Sequence, residues 1–282
     1  MTPEQAVAIA CAALGADPAG AQVLRAADAI TVQLDDARVA RVIPDADDDT
    51  RRVLAAIGEL EGHVLEPLGT AVEHEGALVV PYPRITPNGA EHRDLGIAGA
   101  CLAGLHARGR AALERDVIDL PAFEPRRIAE RWLERAATVF TNDERARLVD
   151  AIDTAWPEVA GPPTVIHGDA HLGNWWPASA DWWVLIDPEF LSVGPAVYDL
   201  APLEVVERRL GTPPSPFPSF LAGYESADGA VDRRALASAI HVRELLSVAW
   251  LASRSADNSE QALRARRRLI DALERREGSW LA

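Results

Sequence analysis

The 282-residue sequence contains no lysine, so all 28 of its basic residues are arginine, and they face 43 acidic residues for a formal charge of −15. A chain this acidic lacks the positive field on which binding to a phosphate backbone rests, which excludes a nucleic-acid binder. Cysteine is nearly absent: Cys11 and Cys101 lie too far apart in sequence to suggest a staple or a metal knuckle, and a reducing cytoplasm is the natural setting. The first 20 residues lack the basic stretch and apolar run of a signal peptide. Charges, glycine or proline interrupt every apolar run before the roughly 18 residues that span a bilayer, so no membrane partner is expected. No internal repeat or long low-complexity tract is present. The chain does have 48% hydrophobic residues, enough for a sizeable core, and a length that suits two lobes of one enzyme.

Thr2 and Gln5, three apart with Pro3 between them, predict a capping box ahead of an Ala-rich helix ending near Gly15. The β-favouring runs Ile30–Leu34 and Arg38–Ile43, joined by Asp35-Asp36, predict a hairpin. Asp47-Asp48-Asp49 precedes Val53, Leu54, Ile57 and Leu60, a spacing that predicts a second helix behind an acidic N-terminus. Two more strand-like runs, near Thr70–Val72 and Ala77–Val80, end in Pro81-Tyr82-Pro83, after which the periodicity is helical: 91–110, 124–140, 142–156, 197–209, 231–254 and 258–278. The exception is 163–187, where Thr164-Val165-Ile166 runs into a polar turn and the Trp175-Trp176 and Trp182–Ile186 runs flank a turn at Ala178–Asp181. The Pro-rich patch Pro213–Pro218 reads as a loop. The shift near residue 84 divides the chain into 1–83 and 84–282.

The densest polar cluster follows an apolar strand: His167-Gly168-Asp169-Ala170-His171-Leu172-Gly173-Asn174, with Asp187 at the end of Val184-Leu185-Ile186. Both carboxylates, Asp169 and Asp187, close strands, where a side chain projects beside a turn while the backbone behind it is held. Asn174 and Asp187 offer hard oxygen ligands that suit Mg²⁺, an ion that takes one or two protein groups and leaves its other positions to water and phosphates. Asp169 is then free to orient a hydroxyl nucleophile. The string His167, Asp169, His171 also has metal-ligand residue types, but Gly168 and Gly173 favour a turn over the extended strand that would align them.

The run HGDAHLGN resembles the catalytic loop HGDxxxxN of the aminoglycoside phosphotransferase and choline kinase superfamily, relatives of the protein kinases. Asp187 matches that superfamily's second metal-binding Asp. Leu105-His106-Ala107 looks like the end of its long central helix, and Gly194-Pro195 with Tyr198-Asp199-Leu200-Ala201 resembles the segment that follows. The resemblance implies an α+β, two-lobed protein-kinase-like fold, with a small N-terminal antiparallel-sheet lobe that binds nucleotide and a larger, mainly helical C-terminal lobe. It implies ATP or GTP as phosphate donor, Mg²⁺, a small-molecule acceptor and no obligate protein partner. Carried over residue by residue, it implies that Asp169 orients the acceptor hydroxyl, Asn174 and Asp187 bind Mg²⁺, Asp199 braces the loop, and His167 supports it.

Three features depart from the superfamily's pattern. The lysine expected on the third strand cannot be supplied, and Arg41, alternating with Val39 and Ile43, is its substitute, with a forked guanidinium suited to phosphate oxygens. Asp47, Asp48 and Asp49 lie near the expected acidic partner but also suit a helix N-terminus. The turn Ala26–Ala29 holds no glycine over the phosphates. The segment Val79–Pro83 resembles the hinge that holds the adenine ring by main-chain bonds; proline has no N–H, so the donor is Val80 or, preferably, Tyr82.

Glu189, just past Asp187, is placed to meet a substrate ammonium or to lie solvated on a loop. Alternation in the hairpin sends one tryptophan of each pair toward the core. His63, His74, His92, His106 and His241 read as packing or surface histidines, and Arg264–Arg268 as a solvated face. The expected function is O-phosphorylation of a small-molecule hydroxyl, most of all of an antibiotic such as an aminoglycoside drawn in by the negative field. A housekeeping kinase for choline or a hexosamine, and a nucleotide-binding pseudokinase, are the alternatives.

Overall fold

In this computed structural model, which describes residues 1–26, 29–85, 94–179, 181–211, 215–255 and 258–280, the chain begins with helix α1 (Pro3–Leu14). The expected capping box is formed: Gln5 N–H donates to the Thr2 hydroxyl at 3.3 Å, and Thr2 N–H donates to Gln5 Oε1 at 2.8 Å. Strands β1 (Gln22–Ala26), β2 (Ile30–Gln33), β3 (Arg38–Pro44), β4 (Val72–His74) and β5 (Ala77–Pro83) make one antiparallel sheet in the order β1-β2-β3-β5-β4. At the β2–β3 turn Asp35 Oδ1 accepts from the N–H groups of Ala37 and Arg38, an Asx arrangement that fixes the hairpin. β1 carries no separate apolar signal in the sequence, because it is a mostly exposed edge strand in which only Val23 is half-buried.

The sheet buries both faces. Ile30, Val32, Ala40, Val42, Ala77 and Val79 pack against Ala6, Ile9 and Ala10 of α1. On the opposite face Leu78, Val80 and Tyr82 pack with Val39, Ile43 and Leu54, the last from α2 (Asp48–Ile57). Asp47 caps α2 by accepting from Thr50 N–H at 2.8 Å, while Asp48 and Asp49 pair with Arg51 and Arg52 of the same helix. β5 extends through Pro83, three residues past the apolar run. β4 pairs with residues 77–79, and past it Leu68 N–H donates to the Pro81 carbonyl, so among the described residues no strand runs beside Pro81 and Pro83 on that side to need the N–H groups they lack.

By contact the chain divides into two compact units, Met1–Arg93 and Asp94–Ala282. The second contains α3 (Leu95–Glu114), α4 (Pro125–Arg135), α5 (Asn142–Ala155), β6 (Pro163–Ile166), β7 (Trp175–Pro177), β8 (Trp183–Leu185), β9 (Ser192–Pro195), α6 (Ala201–Leu210), α7 (Phe217–Ser226), α8 (Arg233–Ser253) and α9 (Ser259–Leu273). β7 and β8 form the expected hairpin, with Trp176 opposite Val184. Trp175 and Trp183 are buried and Trp182 is exposed, as alternation requires. β9 pairs antiparallel with β6, a long-range pairing that no local pattern announces.

Several boundaries differ from expectation. Phe217 and Pro218 open α7 rather than closing a loop, and proline is tolerated there because first-turn N–H groups have no helical partner. α7 packs on α3 so closely that a Cβ on Gly99 would lie 1.9 Å from the Phe220 carbonyl oxygen. The stretch from residue 197 begins as a 3-10 turn (Ala196–Leu200) before α6. α8, with a mean hydropathy of 1.3, is long and apolar enough to cross a membrane, contrary to the expectation that no such run exists; 61% of that stretch is buried and it packs on α4, α5, α6 and α9. The expected helix start at residue 91, His92 and the centre of the 26–29 turn lie outside the described residues.

Candidate active site

β6 delivers the chain to His167, and the loop that follows is held from behind by one carboxylate. Asp199, fully buried, accepts from His167 N–H at 2.6 Å through Oδ2 and from Gly168 N–H at 2.7 Å through Oδ1. Gly168 has a φ of +78°, and a Cβ there would meet the Phe190 carbonyl oxygen at 2.6 Å, so both conformation and space demand glycine. Behind Asp199, His106 of α3 places Nε2 3.1 Å from Oδ2 and Nδ1 2.9 Å from the Tyr224 hydroxyl of α7. Thr164 in turn donates its hydroxyl to the His106 carbonyl at 2.5 Å. Burial, with the Asp199 charge adding to it, pushes the Tyr224 phenol up to about 12, so it stays protonated as a donor. His106 is thus a buried network member, neither a surface histidine nor plain packing. The His167 ring reaches the Ile186 carbonyl at 3.0 Å, tying the loop to the end of β8.

Asp169 stands three residues beyond β6 with its side chain 20% exposed. Its Oδ2 lies 3.3 Å from Asn174 Nδ2 and 3.6 Å from His171 Nε2, and its Oδ1 lies 2.6 Å from a guanidinium nitrogen of Arg243. Asn174 also donates Nδ2 to the Asp169 carbonyl at 2.9 Å, which leaves its amide oxygen as the acceptor end of the group. Ile186 N–H donates to the Asn174 carbonyl at 2.9 Å, bringing Asp187 beside Asn174. Asp187 sits in the left-handed region at φ +65°, a conformation that costs a non-glycine residue about 1 kcal/mol and collects at functional positions. Burial lowers the His171 pKa first, and Arg243 and His167 add repulsion against the attraction of Asp169 and Asp187.

Asn174 and Asp187 supply two hard oxygen donors. Among the described residues no group of three or more His, Cys, Asp or Glu side chains is arranged to hold a metal ion. A donor set this small fits Mg²⁺, which completes its octahedron with water and phosphate oxygens, and it does not fit the His-x-Asp-x-His metal reading.

The other sequence-derived candidates fall as follows. Arg41 is half-buried on β3 opposite Val80 of β5, and Tyr82 lies opposite Val39, so Arg41, Val80 and Tyr82 share one sheet face of the first unit. Glu189 is exposed on a 3-10 turn (Pro188–Phe190). Arg243 was missed by sequence reasoning. Its signal was a charged pair, Arg243-Glu244, in the mainly apolar middle of a helix, since buried charges require partners.

The family described as the phosphotransferase enzyme family matches residues 21–238. Comparison with curated proteins finds no match. Among solved structures, an amicoumacin kinase in complex with AMP-PNP, Ca²⁺ and Ami superposes with a TM-score of 0.72 at 13% identity, covering 93% of this chain and 90% of that one. A choline/ethanolamine kinase family protein from Mesorhizobium loti gives 0.64 at 16% identity, covering 98% and 100%. A spectinomycin phosphotransferase in complex with ADP and spectinomycin also gives 0.64 at 16%, covering 97% of each chain.

Proposed function

Since this chain belongs to the phosphotransferase enzyme family and is a small-molecule kinase, we propose that it transfers the terminal phosphoryl group of ATP or GTP to a hydroxyl of an antibiotic. The observation that carries the chemistry is the convergence of Asp169, Asn174 and Asp187 on one turn pair, with Asp199 holding the loop behind them. Asp169 accepts the hydrogen bond of the attacking hydroxyl and sets its line toward the γ-phosphorus. The new O–P bond forms as the bridging O–P bond breaks, the nucleoside diphosphate leaves, and the hydroxyl proton passes to Asp169. Asn174 and Asp187 would hold Mg²⁺, which when bound would neutralise phosphate charge. Arg41 takes phosphate oxygens in place of lysine, and the main chain at Val80 or Tyr82 takes the base. Asp199 fixes the amides of His167 and Gly168, and His167 steadies the strand end that carries Asp187.

The antibiotic assignment draws support from the −15 charge, which attracts cationic acceptors, and from neighbours named for amicoumacin and spectinomycin. The exposed Glu189 is the residue offered to an acceptor ammonium. A metabolite kinase is the second reading, favoured by the choline/ethanolamine kinase family neighbour. Two free, buried cysteines support a cytoplasmic setting. A mass-spectrometric screen of the purified protein with Mg²⁺ and each nucleotide, against antibiotics and hydroxylated metabolites, separates the readings. A phosphorylated antibiotic is the expected product; phosphorylation of choline or a hexosamine alone establishes the second reading. Nucleotide binding without turnover on any acceptor leaves a pseudokinase.

A further inference from the structure

The two charged residues in the middle of α8 turn to different partners. Glu244 pairs with Arg209 at 2.7 Å in the core. Arg243, only 14% exposed, reaches out of the helix to Asp169 at 2.6 Å, with the buried Tyr198 hydroxyl beside it. Burial opposes the charge on Arg243, but Asp169 and Tyr198 outweigh it and hold the guanidinium above its ordinary pKa. Its Nε is buried with no hydrogen-bond partner among the described residues, so the contact with Asp169 is not one of many for this side chain.

We infer that Arg243 is a positioning residue for phosphoryl transfer, pinning Oδ1 of Asp169 so that Oδ2 is the oxygen presented to the attacking hydroxyl. An aspartate carboxylate turns readily about its last torsion and interchanges its oxygens. A short ion pair to one oxygen restrains the plane of the group. The other oxygen, held among the described residues by contacts of 3.3 and 3.6 Å, keeps acceptor capacity for a hydroxyl proton. Arg243 touches no reacting atom and acts through Asp169. The assignment rests on the phosphotransferase reading given above.

The test uses Mg²⁺-ATP with water as acceptor, phosphate release as the rate and calorimetry for nucleotide affinity. Arg243→Ala is expected to lower kcat about 100-fold. Nucleotide affinity should stay within about twofold, because the loss falls on the transition state. Arg243→Lys is expected to recover about tenfold, since an ammonium still meets Oδ1 without the planar fork. Unchanged kcat in a folded Arg243→Ala protein, a parallel loss of nucleotide affinity, or a lysine variant no better than alanine overturns the assignment. If Arg243→Ala does not fold, Asp169→Asn is compared with Asp169→Asn/Arg243→Met. Equal rates support action through Asp169, and a further multiplicative loss overturns it. A wild-type protein that neither binds nor hydrolyses nucleotide defeats the phosphotransferase reading itself, and this assignment falls with it.

Discussion

Replacing Asp169 with Asn preserves the shape of the side chain and removes the charge that faces Arg243 and, in the proposed reaction, the attacking hydroxyl. Turnover is expected to fall about 10³-fold with Mg²⁺-nucleotide affinity little changed, as steady-state kinetics and calorimetry would read. Rates near wild type would remove Asp169 from the reaction. A second residue makes a pH prediction. His241 of α8 resists protonation in the fold, its pKa pushed down to about 4 by burial first, with Arg275 and Arg209 adding repulsion, against 6.5 for an ordinary histidine. The unfolded chain takes up a proton near pH 6.5 that the folded chain refuses until near pH 4. The stability this group contributes is therefore whole above pH 6.5 and lost as pH falls toward 4, by up to about 3 kcal/mol. Urea unfolding across that window should show a shallower acid slope in His241→Gln than in wild type; identical slopes would refute the assignment. Such residues are where sequence reading is weakest. Asp169, Asn174 and Asp187 stand in a recognisable string, whereas the buried state of His106 and His241 depends on neighbours far along the chain.

Elements were legible where a local rule controls them. Thr2 and Gln5 close a capping box within one turn, Asp35 organises its own hairpin, and Trp175 and Trp183 follow the period of two. Elements without such a rule were not: β9 joins β6 across about 30 residues, and α7 starts inside a proline run. The Arg264–Arg268 stretch is exposed at Arg264, Arg266 and Arg267, as expected of a solvated face, and the tertiary fold adds what the pattern does not show: Arg266 donates to the Val139 carbonyl and half-buried Arg268 lies over the Trp280 ring. The Asp199 brace is the element-scale device that matters most. It joins the loop after β6 to α3, and through His106 to α7. Asp199→Ala leaves two loop amides without their acceptor and is expected to destabilise the protein by about 3–5 kcal/mol while abolishing turnover. Denaturant midpoints within error of wild type would show that the loop has other support.

At the scale of the whole molecule, nucleotide binding should be readable as stability. Mg²⁺-nucleotide at 100 times its dissociation constant is expected to raise the unfolding free energy by about 2.7 kcal/mol. EDTA should remove most of that gain along with turnover, and Arg41→Ala should reduce it at the same nucleotide concentration. Undiminished stabilisation in Arg41→Ala would take Arg41 out of the phosphate site. The acidic composition, the absence of lysine, the switch from short β-favouring runs to helical periodicity near residue 84 and the HGDAHLGN string were all determined by the sequence alone, because each is a property of neighbouring residues. The tertiary structure decided which buried groups meet. It set Arg243 against Asp169 and folded α8, apolar enough for a bilayer, into the middle of a helical unit. Those contacts join residues dozens of positions apart, and their energies come from excluding water between surfaces that only the complete fold brings together.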